Sequence, residues 1–372
     1  MFSHDPVGAP LASEEIKKAL GKQVALDTTA AATLALLDSE VQDQLIGAFS
    51  VIKATTPAYK DALQAQQSFR LRSTMTIAWN TEEQDLVRYT ITEEEADRLA
   101  QHSDRTVAIF ERANHKSWQE FKRLKDYGEH TAWLTTLDYA LTNEVAFWCD
   151  DLGLRLVALQ EGQPTFGTVD LLRSLADAGK IFETQREIAE SILISNYHVD
   201  LDSSSKVWRL AAQIDGWKAE GTSAILTRPS SWQDSHKALA LLGDGILNNA
   251  EASPEIVRIW VANAAIGLVA ITGNHSERSS HNLGLLLRYC LIQSWKRPDL
   301  FSFMLQGIRQ AIPPSSAISD PLEDVLRSFH MLFHEEFGPI VAKVRLFEFV
   351  RHLDESDKHL ASRIVLTYPS DP

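Results

Sequence analysis

The chain has 372 residues, is 44% hydrophobic and carries a net charge of -14. That apolar and aromatic content excludes a disordered chain, and two cysteines exclude a disulfide scaffold. The acidity excludes a small basic nucleic-acid module, while the length allows two cores or one large helical domain.

The charge is uneven. Residues 1–200 hold 31 acids and 19 bases, and residues 201–372 hold 19 acids and 17 bases. A near-neutral second half leaves room for a local basic cleft. The start, Met1-Phe2-Ser3-His4-Asp5-Pro6, has no basic n-region or apolar h-region and is not expected to be a signal peptide. The longest apolar run, within Ile256–Ile271, is interrupted by Arg258 and Asn263. It falls short of the ~20 residues of a membrane span. Cys149 and Cys290 read as buried free thiols. A cytoplasmic protein with no membrane contact is expected.

Apolar residues recur at three and four through most of the chain, which predicts an all-α fold. A first helix is expected over 13–20, and helical pattern with unclear breaks over 28–53. Pro57 precedes a short Ala/Gln-rich helix. Period-two alternation at Phe69, Leu71, Ser73, Met75, Ile77 and Trp79, and again at Val87, Tyr89 and Ile91, predicts one small β-hairpin at about 69–92. Thr92-Glu93-Glu94-Glu95 is a capping box that opens the next helix, and Asp104 and Ser117 read as further N-caps. Trp133, Leu137, Leu141, Val145, Trp148, Leu152 and Leu156 form one stripe, which predicts a single helix over 131–158. Further helices are expected over 168–178, closed by Gly179, over 182–195 and over 206–216. Ser253-Pro254-Glu255 opens an apolar helix that belongs in the centre of a core. Helices then follow to about residue 366. Loop composition and charge shift place a boundary near 216–235, giving an N-terminal lobe (1–218) and a C-terminal lobe (219–372).

None of the motifs GxxxxGK[ST], GxGxxG, GxSxG, CxxC and HExxH occurs. Neither a metal nor a cofactor is expected. His330 and His334 share a helix face but lack a third ligand in sequence. Cys149-Asp150-Asp151 offers two adjacent carboxylates without a third, and is set aside. The segment 197–205 has acids at alternate positions, but lacks the glycine and glutamate of a calcium loop. It reads as a cap for the helix that follows.

Two signals remain. Arg327 and His334 have six residues between them on a helix. That spacing is similar to the active-site motif of the HEPN ribonucleases, helical dimers in which Arg and His act on the scissile phosphate. The resemblance implies a helical ribonuclease using Arg327 and His334. The other signal is basic residues interleaved with aromatics, as a nucleic-acid groove needs. Candidates for nucleic-acid binding are Lys116, Lys122, Arg123 and Lys125 around Trp118 and Phe121; Arg288, Lys296 and Arg297 around Trp295; and Arg70, Arg72 and Arg88 on the hairpin. The function expected is a non-enzymatic, self-associating capsid- or nucleocapsid-type subunit. It would form a homo-oligomer and cover RNA or single-stranded nucleic acid in a cleft between lobes. The alternatives are the ribonuclease and a helical protein–protein adaptor without nucleic acid.

Overall fold

The computed structural model describes residues 9–71, 75–80, 85–118, 121–125, 132–198, 200–251, 253–273, 275–294 and 296–367. The chain divides into two compact units, Met1–Leu193 and Ile194–Pro372.

Unit 1 is α/β. It runs α1 (Ala9–Ala19), β1 (Gln23–Leu26), α2 (Thr28–Leu36), α3 (Ser39–Gly47), β2 (Val51–Thr55), α4 (Thr56–Arg70), β3 (Met75–Asn80), β4 (Asp85–Thr90) and α5 (Glu93–Glu111). Then come β5 (Asn114–Lys116), α6 (Ala132–Asn143), β6 (Ala146–Trp148), α7 (Leu152–Gln160), β7 (Thr165–Phe166), α8 (Thr168–Asp177) and α9 (Glu183–Ser195), which leads across the boundary. Five strands pair in the order β5-β2-β1-β6-β7, and every pairing in that sheet is parallel.

The all-α expectation is therefore wrong for unit 1. The strands are two to five residues long and, apart from the edge strand β5, are mostly buried, with Val24, Ala25, Leu26, Phe147, Trp148 and Phe166 at 0% exposure. A strand buried on both faces reads as a short apolar run with no alternation. The expected helix over 131–158 is two helices with β6 between them. Glu144, in the left-handed region at φ 52°, ends α6, and the stripe residues Val145 and Trp148 continue into extended chain.

The hairpin exists as an antiparallel pair, with Met75 opposite Thr90 and Asn80 opposite Asp85. It starts later than expected, because Phe69 and Arg70 belong to α4. The capping box forms: Thr92 N donates to Glu95 at 2.8 Å and Glu95 N to the Thr92 hydroxyl at 3.1 Å. Asp104 is no cap; it lies inside α5.

Unit 2 is helical: α10 (Ser205–Ile214), α11 (Gly221–Ala224), α12 (Ser235–Asn249), α13 (Pro254–Thr272), α14 (Ser276–Gln293), α15 (Phe301–Gln310), α16 (Leu322–Phe337), α17 (Pro339–Val350) and α18 (Glu355–Thr367). Ser204 caps α10, accepting from Val207 N at 3.3 Å. The apolar helix α13 packs on α12, α14 and α15 and buries Val257, Trp260, Val261, Ala264 and Ala265 completely. By length and composition alone α13 is also long and apolar enough to cross a membrane. Its crossing with α15 needs Gly307, where a Cβ would stand 2.5 Å from the Arg258 carbonyl oxygen.

Candidate nucleic-acid interface

In parallel α/β sheets, ligands meet the loops at the carboxyl ends of the strands. In unit 1 those ends carry Asp27 after β1, Thr55 and Thr56 at β2, Lys116 at β5, Cys149–Asp151 after β6 and Thr168 after β7.

Asp27 is 2% exposed and caps α2. Its Oδ2 accepts from Thr29 N at 3.0 Å, from the Thr29 hydroxyl at 2.7 Å and from Cys149 Sγ at 3.5 Å. Burial raises its pKa, against the lowering effect of the Thr29 bonds. Asp150 is fully buried; its two oxygens accept from Thr168 N at 2.6 Å and the Thr168 hydroxyl at 2.5 Å. Burial raises this pKa too, opposed by the same Thr168 bonds. Asp151 caps α7 through Leu154 N at 3.0 Å. Cys149 is an inert thiol, because burial and then the adjacent Asp27 hold its pKa well up. These carboxylates are joined through Thr29 and Thr168 into the frame of the edge. Among the described residues no group of three or more His, Cys, Asp or Glu is placed to hold a metal ion.

A third buried carboxylate organises the basic side of the edge. Asp138 on α6 is 0% exposed. Its Oδ2 accepts from Trp118 Nε1 and Lys122 N, each at 2.8 Å, and its Oδ1 from Arg123 N at 2.7 Å and Leu124 N at 2.8 Å. Leu124 drops into the core, and Trp118 meets Tyr139 edge-on with centroids 5.2 Å apart. Phe121 also packs against that core. Lys122, Arg123 and Lys125 are exposed, Lys116 is half-buried, and the Lys122 ammonium lies 4.5 Å from the Trp118 ring centroid. Four of the residues expected to bind nucleic acid thus lie within one stretch of the chain, whose backbone Asp138 holds at residues 122–124. Sequence reasoning found these bases but missed Asp138, which an apolar helix stripe conceals.

The other candidates are dispersed. Arg70, on α4, is paired with Asp104 at 2.9 Å. Arg72 and the Arg88 side chain lie outside the described residues. In unit 2, Arg297 pairs with Asp299 at 2.7 Å and also donates to the Ala250 carbonyl oxygen. Lys296 is exposed, and Arg288 lines a cavity of about 450 Å³ with Glu277, His281 and Asp324. Arg327 and His334 do not form a reactive pair. The Arg327 guanidinium holds Glu323 at 2.7 Å, and His334 Nε2 is buried without a hydrogen-bond partner.

No curated protein and no solved structure matches the chain. A family model does match residues 25–159, about a third of the chain, from within β1 to the end of α7. It describes a PIN domain associated with the TPR-GreAB-C-PIN system. The parallel sheet of unit 1 is consistent with a PIN domain. The match overturns the expectation of a non-enzymatic capsid- or nucleocapsid-type subunit, and it lies away from Arg327 and His334, so it lends the HEPN resemblance nothing. Over residues 25–159 the chain is similar to PIN domains.

Proposed function

We propose that unit 1 is a PIN-like module that binds single-stranded nucleic acid along the carboxyl edge of its sheet. PIN domains bind nucleic acid and are typically nucleases, so nucleic acid is the partner class this similarity brings. The observation that carries the reading is the Asp138-held segment within the matched region. It presents Lys122 and Arg123 on backbone that Asp138 holds in advance, which lowers the entropic cost of binding, and Lys116 and Lys125 flank them in sequence.

Hydrolysis at an acidic strand edge calls for carboxylates that hold a divalent cation. The donor set does not fit one: Asp27, Asp150 and Asp151 already accept bonds from Thr29, Thr168 and Leu154 N, and both buried carboxyls are shifted toward the neutral form. The reading is therefore recognition of the phosphate backbone, with no cleavage step assigned to these acids.

The test is fluorescence anisotropy of a labelled single-stranded RNA with the full chain, across a salt series. Binding should weaken as salt rises. Lys122→Gln/Arg123→Gln/Lys125→Gln should weaken it at least 10-fold. Salt-independent binding, or a variant as tight as the wild type, would refute the reading. The same RNA incubated with Mg²⁺ and run on a gel reports cleavage; products lost in Asp27→Asn would show that the acids do hold a metal.

A further inference from the structure

The positive residue that sequence reasoning passed over is Lys53. It sits in the middle of β2, an inner strand of the sheet, and is only 9% exposed. Lysines are rarely buried to that degree without a partner. Yet the Lys53 side chain makes no hydrogen bond or ion pair among the described residues, and its ammonium reaches solvent.

The strand register says what lies beside it. Lys53 is opposite Asn114 and Thr55 is opposite Lys116 across the parallel β2–β5 pair. Residues two apart share a face of the sheet. Lys53, Thr55 and Lys116 therefore lie on one face, the face covered by α6, because the Thr55 hydroxyl bonds Thr135 and Thr136 at 2.8 and 3.2 Å. The intervening residues face the other way: His115 meets Tyr59 of α4 with centroids 4.4 Å apart. Lys116 ends β5, the edge strand, and likewise makes no ion pair among the described residues.

Two cations thus share one face, with no ion-pair partner for either among the described residues. Desolvation first, and Lys116 second, push the Lys53 pKa down. Such an arrangement is costly alone and becomes favourable when an anion sits between the ammoniums.

We propose that Lys53 and Lys116 form a phosphate-binding pair at the β2–β5 edge. Resting on the nucleic-acid reading above, the pair takes one backbone phosphate beside the Asp138-held segment. It supplies by side chains the positive charge that a metal ion would otherwise bring to a nuclease edge.

The full chain is tested with labelled single-stranded RNA in EDTA, and separately with inorganic phosphate, read as a shift in Tm. Lys53→Met keeps the packed stem and removes the charge. Combined with Lys116→Gln, it should weaken RNA binding about 10-fold and make the salt slope shallower by about 1. It should also abolish a phosphate-induced rise in Tm. Lys116→Arg should retain both, and circular dichroism checks that each variant folds. Unchanged affinity and slope in the double variant would overturn the pair while leaving the nucleic-acid reading intact. If the wild type binds no RNA, that reading falls. The pair is then judged by phosphate alone: a Tm rise lost in the double variant upholds it, and no rise in the wild type ends it.

Discussion

The Asp138 carboxylate accepts the Trp118 indole N–H at 2.8 Å and, with the same two oxygens, three consecutive backbone N–H groups from Lys122 to Leu124. One buried acid thus sets the shape of the basic segment. Hydrogen bonds to a charged acceptor contribute about 1.5–3 kcal/mol each, and removing the acceptor leaves buried donors unsatisfied. Asp138→Ala should cost about 3 kcal/mol or more, measured by denaturant unfolding. Asp138→Asn keeps one acceptor and should cost less. Under conditions where Asp138→Asn is folded, its RNA affinity should still fall, because the segment loses its fixed backbone.

Asp27 is a cap and a frame residue. Asparagine caps a helix about as well as aspartate, whereas alanine costs ~1 kcal/mol. Asp27→Asn should leave Tm within a few degrees of wild type and leave RNA binding unchanged. Asp27→Ala should lower Tm clearly. Equal losses in the two variants would contradict the capping role.

Arg155 and Asp170 form a buried ion pair at 2.8 Å, with side chains 6% and 5% exposed, and Asp170 also accepts Gly167 N at 3.2 Å. Breaking such a pair from one side leaves an uncompensated charge. Arg155→Met should destabilise the chain by about 3–5 kcal/mol. Adding Asp170→Asn should recover part of that, which a double-mutant cycle measures directly.

Asp215 in unit 2 gives a pH dependence. Burial raises its pKa to about 6, only partly opposed by the bond from Thr222 N, and its Oδ1 is buried without a hydrogen-bond partner. A carboxyl with a raised folded pKa binds a proton more readily folded than unfolded. Its favourable contribution is complete below about pH 4 and lost as pH rises through about 6. The group is partly exposed, so screening reduces the effect to about 1 kcal/mol. Asp215→Asn should gain that much relative to wild type between pH 4 and pH 7, read from unfolding at each pH.

The sequence carried the helices of unit 2 well, because helices such as α13 are long, capped by residues such as Ser253 and apolar at helical spacing. The sheet was hidden by its own burial. Ala146–Trp148 is three apolar residues, and a helical stripe passes through it without interruption. Asp150 and Asp151 have no third acid beside them in sequence. The carboxylate that shares their edge, Asp27, lies more than a hundred residues earlier and is joined to them through Thr29 and Cys149. The visible clue was the run Val24-Ala25-Leu26 ending in Asp27-Thr28-Thr29, an apolar strand closed by a helix cap. The basic segment 116–125 was legible from composition alone. That it is held by Asp138 needed the fold.

The most direct measurement is photocrosslinking of single-stranded RNA to the full chain, with the attachment sites mapped by mass spectrometry. Crosslinks concentrated between residues 110 and 138, and lost in the Lys122→Gln/Arg123→Gln/Lys125→Gln variant, are the predicted result. Crosslinks confined to the unit 2 bases Arg288, Lys296 and Arg297, or none above background, would contradict it.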